Sequence, residues 1–416
     1  MQTRPRFQYL LIILALLCAS TSLWAQSGSL DPTFGNKGIV TTPGTIGGVA
    51  LVIQTDGKFV VAGGFPITGT STTGLAVARY NPNGSLDSAF GRGGVVTSSS
   101  KAAAFAVALQ QDQKILVAVP GPRFNISVIR LNTNGSVDTA FGSSGIATFN
   151  QFGRVFQPVS GSLVVQPDGN LLLAVGGILR ILPDGQVDTT FGKGGVASVI
   201  EGTSLISLLP NGQILAASVF TFSAGIVARY NSDGSLDRTF GVNGQAAGLG
   251  GVSAILPLSS GKFILAGTLN ATVAPLGGVI TQGFSLVRYN ANGTIDNTFG
   301  NHGGVITTFS GDAFSAAASL VLQTNGDVVA AGTAQVGNPA FGLSQGSFAL
   351  ARYLSNGPLD TTFGTGGRVT TAFGTQEAAI VAIAIQSDGK IVALGNEVPS
   401  TFGTPNNGFT LARYLP

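Results

Sequence analysis

Charge is scarce in this chain. Asp, Glu, Lys and Arg together make up 9% of its 416 residues, against 44% hydrophobic ones. That is not the polar composition of a disordered segment, and the shortage of Glu and Lys disfavours coiled coils and helical bundles. Histidine, cysteine, methionine and tryptophan occur once each, as His302, Cys18, Met1 and Trp24. A lone histidine builds no metal cluster, and a Ser–His–Asp or Cys–His constellation has almost nothing to draw on. EF-hand and nonapeptide calcium patterns are missing as well, so neither metal nor cofactor is expected. Glycine is plentiful, at 61 positions, but without the period of three that collagen requires. What remains is an all-β pattern of apolar runs broken by turns.

The first residues stand apart. Arg4 and Arg6 precede an apolar run over residues 9–18 and a stretch ending at Ala25. This is the order of a secretory signal peptide over residues 1–25, and the run is short for a membrane span of about 20 residues. Its removal takes the only Cys, Met and Trp with it and leaves 19 basic against 18 acidic residues. A nearly neutral chain offers nucleic acid no basic face. The mature protein is expected outside the cytoplasm (secreted, periplasmic or at the cell surface), as a monomer without disulfide or transmembrane segment.

The motif Asp-x-x-Phe-Gly begins at Asp31, Asp87, Asp138, Asp188, Asp237, Asp296 and Asp360. Six of these follow a strand-like segment carrying Arg79, Arg130, Arg180, Arg229, Arg288 or Arg352, and a seventh such segment, with Arg413, ends the chain. Each unit holds four apolar segments. Asp-Gly or Asn-Gly turns such as Asp56-Gly57 and Asn83-Gly84 supply the positive φ of tight hairpins. Four strands in roughly 50 residues, repeated, describe a propeller blade. The repeat starts with a fourth-strand segment and stops after a third strand. Joining these ends leaves no unfinished edge. Residues 26–416 are therefore expected to form one closed seven-bladed β-propeller of four-stranded blades, the N-terminal strand completing the last blade.

The strings Ala-Arg-Tyr-Asn-x-x-Gly-Ser-Leu-Asp-x-x-Phe-Gly, from Ala78 to Gly91, and Ile-Gln-x-Asp-Gly-Lys-Ile, from Ile385 to Ile391, resemble the delta-60 repeat, a bacterial β-propeller family. The resemblance implies a build similar to NHL-type propellers and no general activity.

Each Arg precedes its motif Asp by eight residues and shares the bulky face of its strand. A guanidinium there needs a carboxylate, so forks are expected between Arg79 and Asp87, Arg130 and Asp138, Arg180 and Asp188, Arg229 and Asp237, Arg288 and Asp296, and Arg352 and Asp360. Arg413 has no later Asp and must take Asp31 across the closure. The motif phenylalanines are read as packing between blades. Setting aside motif and turn acids leaves Glu201, Asp312, Glu377 and Glu397; of these Asp312, Glu377 and Glu397 are weak candidates for carboxylate catalysis. The loops between second and third strands are long in blades five, six, seven and one, over residues 267–283, 332–346, 395–408 and 63–74. They carry Phe65, Phe341, Phe402 and Glu397 on one side of one face, where variable loops on a rigid scaffold usually bind. The first reading is a non-catalytic, secreted or surface-associated propeller that binds a protein or glycan there. A polysaccharide hydrolase or lyase and a purely structural envelope protein are the alternatives.

Overall fold

The computed structural model describes residues 26–416 except 71, 122–124, 151–160, 198–202, 219–224, 250, 269–282, 337–344, 374–376 and 399–407. The proposed signal peptide lies outside the described residues. Blade six shows how a unit forms. Its inner strand, Asp312–Leu322, turns at Asn325-Gly326, where Gly326 has φ 88°, and returns as Val328–Val336. Gln345–Tyr353 pairs next, and Arg368–Thr371 forms the rim. Seven antiparallel four-stranded sheets follow this scheme; six are laid out from axis to rim in chain order, and the seventh takes its rim strand from the N-terminal end. The innermost strands neighbour one another all the way round, so the sheets form a closed seven-bladed propeller.

The core lies between blades. Seven apolar clusters fill seven wedges; that between blades seven and one gathers Phe34, Phe59, Val61, Tyr80, Leu394 and Leu411. Successive residues of a middle strand face opposite wedges, Phe59 and Val61 one way and Val60 and Ala62 the other. Both faces of the sheet are covered, which is why these strands read as unbroken apolar runs rather than alternating ones.

Closure is made by Ile39–Thr42 from the N-terminal end, which pairs with the final strand Phe409–Tyr414 in the register Ile39↔Ala412 to Thr42↔Phe409. Further bonds link the amide of Gly28 to the Leu415 carbonyl and that of Asp31 to Arg413. The last blade thus gains the outer strand it lacks in chain order.

Segments expected as loops are partly ladder, residues 395–398 of blade seven among them. Phe59–Pro66 pairs with Thr73–Tyr80, and Val328–Val336 with Gln345–Tyr353, so residues 63–66 and 332–336 continue their strands. Small and apolar residues carry the pleat onward in both. In blades five, six and seven the inner strand bulges opposite Gly267, Gly332 and Gly395. At Gly332 a Cβ would sit 1.9 Å from the Ala316 carbonyl oxygen, which only glycine tolerates.

The closing register predicts a cross-link. Ile39 and Ala412 face each other between hydrogen-bonded pairs, where Cβ atoms lie close enough for a disulfide. Ile39→Cys with Ala412→Cys should oxidise to a bridge visible by mass spectrometry and raise unfolding stability by about 2–4 kcal/mol. Two persistent free thiols would place the ends apart.

Candidate functional site

The seven arginines occupy equivalent positions in the third strands. In six blades Arg Nε donates to the motif Asp Oδ2 at 2.7–2.9 Å, as from Arg79 to Asp87 and from Arg352 to Asp360. In the seventh, Arg413 lies 2.9 Å from Asp31 across the closure. The other carboxylate oxygen accepts the amide two residues on, for example from Thr190 at 3.0 Å and Thr362 at 3.0 Å. One aspartate therefore shapes its own turn and holds the neighbouring strand. Each guanidinium also covers the phenylalanine of its motif, 4.6–4.8 Å from the ring centre.

These groups also reach beyond their blade. Arg Nη1 donates to a turn carbonyl of the next blade, from Arg130 to Pro183 at 2.6 Å, Arg180 to Ser232 at 2.7 Å and Arg288 to Ser355 at 2.6 Å. Arg413 makes the same bond to Pro82, carrying the contact from blade seven to blade one. The motif glycine amide runs parallel to it, from Gly35 to Asn83 and onward to Gly364 and Ser27, giving a complete ring of seven hydrogen bonds. Tyrosine points the other way. Tyr80, Tyr353 and Tyr414 hydroxyls meet Thr42, Thr307 and Thr371 of the preceding blade at 2.6–2.9 Å. Burial pushes these phenols well above their usual pKa. Adjacent Arg and Tyr thus fasten one strand to both neighbours.

Sequence reasoning missed a second cation. Lys58, Lys114, Lys262 and Lys390, each just after a hairpin turn, place Nζ 2.9–3.3 Å from the motif Asp Oδ2. A lysine closing the turn, as in Asp56-Gly57-Lys58, Asp112-Gln113-Lys114, Ser260-Gly261-Lys262 and Asp388-Gly389-Lys390, carries that signal. Blade four substitutes Gln213, whose amide donates to Asp237 at 2.8 Å, and blade six has the buried Asp327 at this position.

The loop-face candidates separate. Phe341 and Phe402 lie outside the described residues. Phe65 is half-buried against the wedge between blades seven and one. Glu397 is buried and accepts a hydrogen bond from the Thr410 hydroxyl at 2.8 Å. Glu377 pairs with Val398 while Glu397 pairs with Ala378, so the two carboxylates stand on opposite faces of the blade and do not converge. Asp312 starts the inner strand of blade six, in another sheet. His302 is exposed in a left-handed turn. Among the described residues no three His, Cys, Asp or Glu side chains gather at one point, and no helix is long and apolar enough to cross a membrane.

Seven radial sheets closed by a strand from the opposite terminus define a β-propeller. A family model described as "Domain of unknown function (DUF5122) beta-propeller" matches residues 54–90, 110–141, 209–240, 276–299 and 323–363, segments that fall within five of the seven units. Among solved structures the chain is similar to Sqt1 of Chaetomium thermophilum, at 10% identity over 94% of this chain and 98% of that one, with a TM-score of 0.50. It is also similar to the Pan2 WD40 domain of Neurospora crassa, at 10% identity over 91% and 94%, again with a TM-score of 0.50. At this identity the likeness is one of fold. No curated protein matches.

The forks set the acid limit of the fold. Burial raises the Asp31 and Asp237 carboxyls, but hydrogen bonds from Thr33 and Thr239 and the charges of Arg413 and Arg229 outweigh it and lower both to about 2. Asp87, Asp138, Asp188, Asp296 and Asp360 are lowered too. A depressed carboxylate stabilises the fold fully above its unfolded pKa of about 4 and loses that contribution as pH falls through the folded value. Urea unfolding should therefore give similar stability at pH 7 and 4.5 and a steep fall between about pH 4 and 2. An acid transition already complete at pH 5 would contradict the forks.

Proposed function

We propose that this protein is a secreted or surface-associated, non-catalytic propeller, of the delta-60 repeat kind, that binds a protein or glycan through the face bearing its long second-to-third-strand hairpins. The observation that carries the reading is the unevenness of that face. Blade three turns back between four-residue strands, Leu171–Ala174 and Ile178–Ile181, whereas blade six extends both partners to nine residues. Blades seven and one have eight-residue second strands, Ile391–Val398 and Phe59–Pro66. The longer hairpins are neighbours across the closure and make one raised sector. The opposite face repeats the same Asp-Gly and Asn-Gly turns, so individuality is concentrated where the hairpins vary. The N-terminal basic, apolar and small-residue order supports secretion. Glu377 and Glu397, turned to opposite faces, speak against a paired-carboxylate hydrolase.

Replacing residues 67–72, 269–282, 337–344 and 399–407 with short turns like that of blade three should abolish retention on a glycan array or on immobilised envelope extract. The melting temperature should stay within a few degrees, because the forks and wedges are untouched. Full retention by the shortened protein would remove the long hairpins from the binding site.

A further inference from the structure

The rim strands differ at one position in a way the repeat makes visible. Four residues after the motif glycine, six blades carry Ile39, Val95, Ile146, Val196, Gln245 or Gly304, all uncharged. Blade six carries Arg368. Its equivalents Val95, Ile146 and Val196 pack toward the preceding blade, so the guanidinium is directed into the cleft between blades five and six. Nη1 donates to the Gly366 carbonyl at 3.1 Å, while Nε is buried and meets no acceptor. None of the ion pairs among the described residues involves Arg368, unlike the arginines of the forks. Arg413 Nε is buried without an acceptor as well, but Arg413 has Asp31 beside it; Arg368 is a half-exposed guanidinium with no carboxylate, which an anion arriving from outside would satisfy.

The surroundings narrow the class of anion. Arg368 lines a rim cavity of about 630 Å³ together with Thr308, Ser310, Thr365 and Thr370, and the cavity runs over the rim strand to Ser29 of the closing segment on the blade-seven side. The Ser29 hydroxyl is likewise buried without a partner. The rim grooves at blades two, four and seven, which open toward the next blade, carry no cation. A single planar fork suits a carboxylate better than a cluster-bound phosphate does, and a ring of hydroxyls suits a polyhydroxylated ligand. The volume falls within the range of about 300–1,000 Å³ that holds small ligands rather than a bare ion.

We infer that the rim cavity of blade six binds a carboxylate-bearing saccharide, with the acid group on Arg368. This rests on the glycan half of the reading above but places the contact on the rim, away from the long hairpins. Calorimetric titration with tetragalacturonate, with its neutral galactose counterpart and with inorganic sulfate tests it. The uronate should bind the wild-type protein, the neutral oligosaccharide should bind at least tenfold more weakly, and sulfate should not compete. Arg368→Gln should weaken uronate binding at least tenfold and Arg368→Lys less, with unchanged melting temperatures showing that both variants fold. Equal uronate affinity in Arg368→Gln, no binding to the wild type, or displacement by millimolar sulfate would each overturn the assignment. The hairpin-shortened protein should still bind the uronate, so loss of the face site and loss of the rim site are read separately.

Discussion

The ion pair between a third-strand arginine and a motif aspartate is the contact on which the ring depends. A charged pair taken out of water repays its desolvation only when geometry and further hydrogen bonds are good, and deleting one partner of such a pair typically costs about 3–5 kcal/mol. Here both conditions hold. The aspartate is anchored by the amide two residues on, and the guanidinium lies over a phenylalanine and spends Nη1 on the next blade. Local turn, blade and neighbouring blade are fastened at one point. Because the fork recurs in every blade, and its Nη1 bond to the next blade recurs from Arg79, Arg130, Arg180, Arg229, Arg288 and Arg413, stabilisation is passed round a circle rather than along a line.

Circularity imposes its own constraint. An open stack of blades would expose two apolar wedge faces and an unpaired edge. The chain avoids this by beginning one strand out of phase, so that Phe34, Val40 and Leu411 from opposite ends share a wedge with blade one. A protein without a cysteine after residue 18 relies on this packing and pairing instead of a covalent clasp.

Much of this was legible from residues alone, and the reason is repetition. Seven copies of Asp-x-x-Phe-Gly, the eight-residue interval from Arg79 to Asp87 and its equivalents, and the offset between the two ends were enough to read a closed propeller and to pair Arg413 with Asp31. Features that depend on how one blade meets the next were not legible. Nothing local in Arg130 announces that Nη1 will reach Pro183, nor in Tyr353 that its hydroxyl will meet Thr307 of the preceding blade. The inner-strand bulges left only an indirect trace in glycines such as Gly332. The ladders run further into the hairpins than composition suggests, because segments 63–66 and 332–336 are small and glycine-rich yet remain paired. Arg368 is a departure of a different kind: a cation without a carboxylate partner stands where the other blades carry Ile, Val, Gln or Gly.

The architecture divides labour between a uniform frame and a few irregular features. Forks, wedges and the hydrogen-bond ring repeat with little variation, so departures such as the raised hairpins and the cation in the blade-six cleft do not disturb the frame. The central claim is that the fork across the junction of the termini is equivalent to those within blades. A double-mutant cycle on Asp31→Asn and Arg413→Gln, compared with Asp87→Asn and Arg79→Gln, measures this directly. Coupling of about 2 kcal/mol or more in both cycles is the predicted result. A coupling near zero for Asp31 with Arg413, beside a large one for Asp87 with Arg79, would show that the ring is not held shut in this way.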